Sequence, residues 1–119
     1  MKVGFRADND LDRDIVRGLL RLEPKIDFDA GPLNGLDDEA VLLIALREER
    51  ILVTHDISTI PPLCFRLRED RQLPGVLLTP QNYPIGKAVK RLHLIWVLTE
   101  AMEWPNRICY LPTLADFIP

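Results

Sequence analysis

The stretch Arg50-Ile51-Leu52-Val53-Thr54-His55-Asp56 decides how the chain folds. Its centre is a continuous apolar run rich in β-branched residues, which is typical of a parallel strand buried on both faces of a sheet. The run stops at a histidine and a carboxylate. No glycine follows Asp56, so the residue is not needed to make a turn. We therefore interpret Ile51–Thr54 as a central strand and Asp56 as a candidate functional residue at its carboxyl end.

Strands and helices alternate on both sides of this stretch. The apolar patterns predict further strands at 2–6, 26–29, 75–79 and 107–111, and helices at 11–23, 37–50, 61–72 and 85–103. The last helix carries its predicted apolar stripe at Ile85, Val89, Leu92 and Trp96. Pro112 and the residues after it predict a tail or a single turn. Together the elements predict a three-layer α/β/α sandwich with a mostly parallel sheet of about five strands.

Composition limits the possible classes of protein. The chain has 119 residues, of which 47% are hydrophobic and 28% charged, which predicts one domain over 1–119 with a single core. No apolar run is long enough to cross a membrane and no cleavable signal opens the chain, so we expect a cytoplasmic protein. Cys64 and Cys109 are predicted to be core thiols. The net charge of −3 indicates that any contact with nucleic acid is local.

Three acids are predicted to meet at one edge of the sheet. Asp8 follows the first strand, Asp56 follows the central strand, and Asp38 lies in the first turn of a helix that begins at the same edge. Ligands of open parallel sheets bind outside the carboxyl ends of the strands. The three carboxylates repel one another unless a cation lies between them, and such oxygen ligands suit Mg²⁺ or Mn²⁺. A metal site of this kind can support hydrolysis of a phosphodiester.

Each acid also has a purely structural interpretation. Asp8 can be a turn residue or the N-cap of the first helix, a position for which Asn9 and Asp10 compete. Asp38 can simply favour the helix dipole. The functional hypothesis therefore depends on all three acids together.

Five segments carry a further signal: Asp8-Asn9-Asp10-Leu11, Gly35-Leu36-Asp37-Asp38-Glu39-Ala40-Val41-Leu42, the stretch at 50–56, Pro74-Gly75-Val76-Leu77-Leu78 and Tyr83-Pro84-Ile85-Gly86. In this order they resemble the PIN-like domains, which are small nucleases. The resemblance implies a metal-dependent ribonuclease similar to the toxins of toxin-antitoxin pairs, which a small DNA-binding partner silences. It also implies that Asp8, Asp38 and Asp56 are the metal-binding and catalytic acids.

The chain departs from that family beside the first strand. The relatives usually have Asp-Glu-Asn there, whereas this chain has Asp8-Asn9-Asp10. Asp10 can replace the missing carboxylate if it points into the crevice. Secondary candidates are Asn9, Asp10, Glu39 and His55; the histidine either positions a phosphate or leaving group or makes structural hydrogen bonds.

Basic residues supply a candidate surface for nucleic acid. Lys87, Lys90 and Arg91 share one helical face, which either meets RNA phosphates or is simply solvated. The mixed apolar face of the helix at 61–72 is a candidate interface for a homodimer.

Two other functions remain open. A degenerate PIN-like domain that only binds a partner fits the displaced acid beside Asp8. A receiver-like signalling domain phosphorylated on Asp56 fits the acidic cluster and Thr79, although such domains carry a lysine where this chain has Leu111-Pro112.

Overall fold

The computed structural model describes residues 1–114, which form a five-stranded, all-parallel sheet with helices on both faces. The strands are β1 Gly4–Ala7, β2 Asp27–Asp29, β3 Ile51–Thr54, β4 Val76–Leu78 and β5 Ile108–Tyr110. The helices are α1 Arg13–Leu22, α2 Asp38–Arg47, α3 Ile60–Leu67, α4 Ile85–Leu98 and α5 Leu111–Leu114, with a 3₁₀ turn at Ala101–Glu103. The predicted α/β/α sandwich is confirmed, and the sheet is fully parallel.

The strand order is β2-β1-β3-β4-β5. β2 lies on one side of β1, and β3, β4 and β5 follow on the other side, so the order in which strands are added reverses between β1 and β3. Phe5 is paired with Ile51 and Ala7 with Val53. The pairing continues beyond β1, because the Asp8 N–H donates to the Val53 carbonyl at 3.0 Å. The carboxyl ends of β1 and β3 therefore lie side by side at the switch point, where open α/β sheets bind their ligands.

Alternation along the strands separates two cores. Phe5, Val53 and Leu77 face the buried side chains of α1 and α4. Leu52 and Val76 face the opposite way, toward α2 and α3. The central strand is therefore buried on both sides, as its apolar sequence predicts.

The helix starts confirm one predicted cap and correct another. Asp37 caps α2 as expected, since its side chain accepts from the Ala40 N–H at 2.8 Å. The first helix begins later than predicted, at Arg13, and its N-cap is Asp12, which accepts from the Asp14 N–H at 2.9 Å. The alternative interpretation, in which Asp8 or its neighbours cap this helix, is wrong because Asp12 is the cap.

Two helices are shorter than predicted. The α3 helix ends at Leu67 instead of near residue 72, because the polar run at 68–72 has no apolar side chain to bury. The α4 helix ends at Leu98 instead of 103. There Thr99 donates from Oγ1 to the Ile95 carbonyl at 2.6 Å, and Glu100 begins a separate capped turn.

The buried stripe of α4 is rotated from the predicted one. Its buried residues are Ala88, Leu92 and Ile95, whereas Ile85 is 36% exposed and Trp96 is half-buried. Small Ala88 permits close approach of the helix to the sheet, which a pattern built on large side chains overlooks.

The remaining expectations concern the thiols and the end of the chain. Cys64 is buried, Cys109 is half-buried against the α1 and α4 core, and both are free thiols. The predicted single turn after β5 is α5; the rest of the predicted tail lies outside the described residues. None of the helices within 1–114 combines the length and apolarity that crossing a bilayer requires.

A buried cation ties β1 to the loop after β2. Arg6 is 5% exposed, and it lies 2.9 Å from Asp29 (Nη1 to Oδ2) and donates to the Gly31 carbonyl at 2.7 Å. Arg50 approaches the same carboxylate at 3.5 Å. The Gly31 N–H, followed by the Arg6 and Arg50 charges, lowers the pKa of Asp29 despite the opposing effect of burial.

We expect Asp29→Asn to lower the melting temperature at pH 7 and the difference to vanish in acid. A carboxyl whose folded pKa lies below its ordinary value of 3.8 stabilises the fold above that value and loses this contribution as the pH falls through the folded pKa. Thermal denaturation followed by circular dichroism from pH 7 to pH 2 measures both effects. Asp70→Asn, on an exposed turn, is the control. A gap that persists unchanged at the lowest pH contradicts the assignment.

Candidate functional site

The predicted acids lie around the switch point between β1 and β3. Asp8 directly follows β1, Asp56 comes two residues after β3, and Asp38 is the first residue of α2. Asp38 is close enough to Asp8 and Asp56 for their charges to act on it, and the same two acids act on Asp10. The four acids thus lie at one edge of the sheet, near enough for the charges of Asp8 and Asp56 to act on the other two.

Thr54 links the ends of the two strands. Its side chain is fully buried, and its hydroxyl donates to Asp8 Oδ2 at 2.7 Å while accepting from the Asp56 N–H at 3.0 Å. The Asn9 N–H holds the other Asp8 oxygen at 2.8 Å. The carboxylate of Asp8 is therefore fixed in orientation, and the residue is buried, with only 8% of its surface exposed. The sequence signal for this role is a hydroxyl at the end of an aliphatic strand, which the apolar pattern alone does not connect with the acids.

Asp56 is held by the turn that follows it. Its Oδ1 accepts from the Ser58 N–H at 3.1 Å and the Thr59 N–H at 2.9 Å, and its Oδ2 accepts from the Thr59 hydroxyl. Burial tends to raise the pKa of Asp56, but the hydrogen bonds from Thr59 and Ser58 outweigh it and bring the pKa below its ordinary value. Asp56 is thus a stable anion.

The other two acids show the opposite behaviour. Desolvation by neighbouring groups and then the charge of Asp8 raise the pKa of Asp10; His55 acts in the opposite direction, and the charge of Asp56 adds a smaller increase. Partial burial followed by the charges of Asp56 and Asp8 raises the pKa of Asp38. Asp10 and Asp38 therefore hold protons more tightly than ordinary aspartates, because they are partly desolvated and because the negative charges of Asp8 and Asp56 lie nearby.

The neighbouring side chains of Asn9 and Asp10, in the turn after β1, have different partners. The Asn9 side chain turns away from the acids and accepts from the Leu33 N–H at 2.8 Å, which anchors the loop after β2. The charges of Asp8 and Asp56 act on Asp10, and the backbone N–H of His55 also acts on its carboxylate. Of these two side chains, therefore, it is that of Asp10 on which the neighbouring acids act.

His55 is a structural residue in this arrangement. Its Nδ1 lies 2.8 Å from the Thr79 carbonyl, and its Nε2 accepts from the Asp12 N–H at 3.1 Å. These partners require a neutral ring with the proton on Nδ1. Both nitrogens are used, so His55 connects β3, β4 and the start of α1 and has no free nitrogen for a phosphate.

Glu39 and the predicted basic face lie at the margin. Glu39 is directed toward Arg71, 4.0 Å away, and not toward the acids. Lys87 is in the first turn of α4 at the carboxyl edge, and both Lys87 and Lys90 are exposed. Arg91 is half-buried, which leaves the two lysines as the accessible part of this face.

The oxygen atoms of these side chains are of the chemical type that binds a hard divalent cation. Four carboxylates with hydroxyl oxygens beside them are the ligand type that Mg²⁺ and Mn²⁺ prefer, and crowding of charge is what a cation relieves. Within residues 1–114, however, no three aspartate, glutamate, histidine or cysteine side chains converge closely enough to hold one ion. Among Asp8, Asp38 and Asp56, the Asp38 side chain accepts the fewest hydrogen bonds in the described part of the chain, a single one from Thr59 at 3.3 Å.

No protein-family model, no curated protein and no solved structure matches the chain. Its function therefore has to be argued from the geometry and chemistry of the crevice.

We expect Thr54→Val to destabilise the protein by about 1–3 kcal/mol, because it leaves the buried Asp8 oxygen and the Asp56 N–H without their shared partner. Thr79→Val is the matched control. Thr79 is 1% exposed and its hydroxyl has no hydrogen-bond partner among the described residues, so its loss should be neutral or stabilising. Urea denaturation measures both changes. Equal effects of the two substitutions contradict the assigned role of Thr54.

Proposed function

We propose that the chain is a PIN-like endoribonuclease that depends on Mg²⁺ or Mn²⁺. The observation that carries the proposal is the gathering of Asp8, Asp10, Asp38 and Asp56 at the switch point, with raised pKa values at Asp10 and Asp38. A fold stabilised only by its core has no need for four carboxylates in one crevice. The resemblance in residue order to PIN-like domains supports the same interpretation.

The four acids divide into two roles. Asp8 and Asp56 are fixed by hydrogen bonds and would be the preformed ligands of the site. Asp38 would complete the ligand set from α2. A bound divalent cation would supply polarisation of the phosphate and a water of lowered pKa. Asp10, on the turn after β1 and with a raised pKa, would be the carboxylate placed to accept a proton.

The proposed substrate is RNA, held near the crevice through its phosphates. The protein has a net charge of −3, so contact must rely on local cations. Exposed Lys87 and Lys90 near the carboxyl edge are the candidates for this contact. We further propose that the protein is the toxin of a toxin-antitoxin pair. A small DNA-binding reading frame beside its gene, whose product relieves growth arrest on co-expression, is the expected arrangement.

The alternative favoured by a specific observation is a PIN-like module that binds a partner without catalysis. The lack of a preformed three-ligand group within residues 1–114 supports this alternative. The receiver-like hypothesis has less support. Thr79 is 1% exposed, which removes its hydroxyl from the crevice surface where a phosphoryl group on Asp56 would need it.

We expect the purified protein to cleave single-stranded RNA in the presence of Mn²⁺, and Asp56→Asn to lower the rate by at least about a hundredfold, since even supporting residues of metal sites cost 10–100-fold when changed. Asp10→Asn should show a comparable loss, whereas Asn9→Ala should retain activity if it still folds. Cleavage of a labelled oligonucleotide and calorimetry with Mn²⁺ are the measurements.

Asp70→Asn, on a turn after α3, controls for a general effect of removing a carboxylate. A DNA oligonucleotide of the same sequence tests the preference for RNA. If the wild type neither binds Mn²⁺ nor cleaves RNA, the nuclease proposal fails and the binding module takes its place.

A further inference from the structure

The two outer strands of the sheet carry different side chains. Within residues 1–114, β2 pairs with β1 alone and β5 with β4 alone, so each leaves one backbone edge without a neighbouring strand. β2 carries Asp27 and Asp29, both within ion-pair distance of Arg50. Charges of this kind keep an exposed edge from pairing with another chain. β5 consists of Ile108-Cys109-Tyr110 and therefore lacks this protection.

The exposed side chains of β5 face the layer that contains α3. Cys109 packs against the α1 and α4 core, so the alternating residues Ile108 and Tyr110 point to the opposite face of the sheet. Both are exposed, as is Phe65 of α3. Ile108 lines a groove of about 300 Å³ together with Pro61 and Phe65. In the described part of the chain, this face of β5 is thus apolar and only partly covered.

The backbone of β5 is in phase for pairing with a second copy of itself. The Val76 N–H donates to the Arg107 carbonyl at 2.8 Å, so the hydrogen-bonding groups of Arg107 and Cys109 point toward β4. Those of Ile108 and Tyr110 point away from β4, because the direction alternates along a strand. A two-fold axis at Cys109 places each Ile108 opposite the Tyr110 of an antiparallel copy. In that register the outward-pointing backbone groups of the two copies face one another.

We propose that the chain forms a homodimer by antiparallel pairing of two β5 strands, which joins the two sheets into one continuous sheet. Each Ile108 then contacts the partner's Tyr110, and a pair of aliphatic and aromatic side chains stabilises antiparallel strands. The ring of Tyr110 lies at the partner's groove beside Phe65 and covers apolar surface that is exposed in the single chain. The proposal does not depend on the nuclease function.

The charges around β5 favour a second copy as the occupant of this edge. The strand itself carries no charge, so two β5 strands meet without like-charge repulsion. Arg107, the residue before β5, lies opposite the partner's Leu111 in the two-fold register, and the two arginines are therefore kept apart. Pairing ends with two copies, because each chain has one apolar edge and the charged β2 edge does not extend the sheet further.

The size of the surface determines how tightly the two copies bind. A standard interface uses about 20–30 residues on each side. This surface offers a strand of three residues and one side of α3. We therefore expect a weak dimer that dissociates on dilution.

Sedimentation velocity of the full chain over a wide range of protein concentration tests the dimer. The wild type should shift from monomer to dimer as the concentration rises. Tyr110→Lys should raise the dissociation constant at least about tenfold, because a tyrosine at the centre of an interface is among the most costly residues to replace. Leu22→Lys is the matched control. Leu22 is also exposed and apolar but ends α1, so its replacement should leave the dissociation constant within about twofold.

The proposed register makes a second prediction, which uses a native thiol. Cys109 lies opposite the partner's Cys109 as a pair without mutual hydrogen bonds, in which the Cα atoms are about 4.5 Å apart. A disulfide spans this distance. Copper(II) phenanthroline takes one electron from each of the two thiols while their protons pass to solvent, and it should cross-link the wild type on a non-reducing gel. Cys109→Ser should not cross-link, because Cys64, the other cysteine, is buried.

Thermal denaturation shows whether each variant is folded, and Ile108→Lys takes the place of Tyr110→Lys if the latter unfolds. A wild type that stays monomeric at every concentration overturns the proposal and makes a strand from another protein the candidate for this edge. A dimer that Tyr110→Lys leaves intact, or that Cys109 does not cross-link, also overturns it, because β5 is then not at the two-fold axis. RNA cleavage plays no part in these measurements, so the nuclease proposal and the dimer can fail separately.

Discussion

Pairing of β1 with β3 at the centre of the sheet is the constraint on which the rest of the structure depends. It brings the residues after two parallel strands to the same place, and in this chain both strands lead into acids. The fold tolerates this because donors from the chain itself meet the carboxylates. Thr54 joins Asp8 to the backbone of Asp56, and Ser58 and Thr59 hold Asp56. The hydrogen bonds that join the ends of β1 and β3 therefore also fix the geometry of the crevice.

The consequence is a division of labour among chemically identical side chains. Several donors lower the pKa of Asp56, whereas desolvation and then the neighbouring negative charges raise the pKa values of Asp38 and Asp10. Environment sets this difference. A crevice with both kinds of carboxylate can keep a permanent charge for a cation and a group for proton transfer. The chemistry of the proposed hydrolysis needs both, and the protein obtains them from one residue type.

The sequence predicts the fold well and the site in part, for physical reasons. Ile51–Thr54 is buried on both faces and is therefore almost entirely apolar in sequence. The pattern alone consequently predicts this strand and the acid that follows it. Helix ends depend on local hydrogen bonds such as that of Thr99, which no periodicity reports. The roles of Asn9, His55 and Arg6 depend on partners far along the chain, namely the loop after β2 and the end of β4. Pattern shows which residues are apolar, but only tertiary structure shows which polar groups meet.

The central position of β1 also bears on how the protein forms during synthesis. β1 precedes both of its neighbours, β2 and β3, along the chain, and the hydrogen bond from Thr54 to Asp8 spans 46 residues. Until β3 has emerged, β1 has at most one neighbour in the sheet and Asp8 lacks the hydroxyl that orients it. Contacts of such long sequence separation form only after the intervening chain has been made. The acids therefore take up their mutual geometry only once the ribosome has released the segment up to the turn after Asp56.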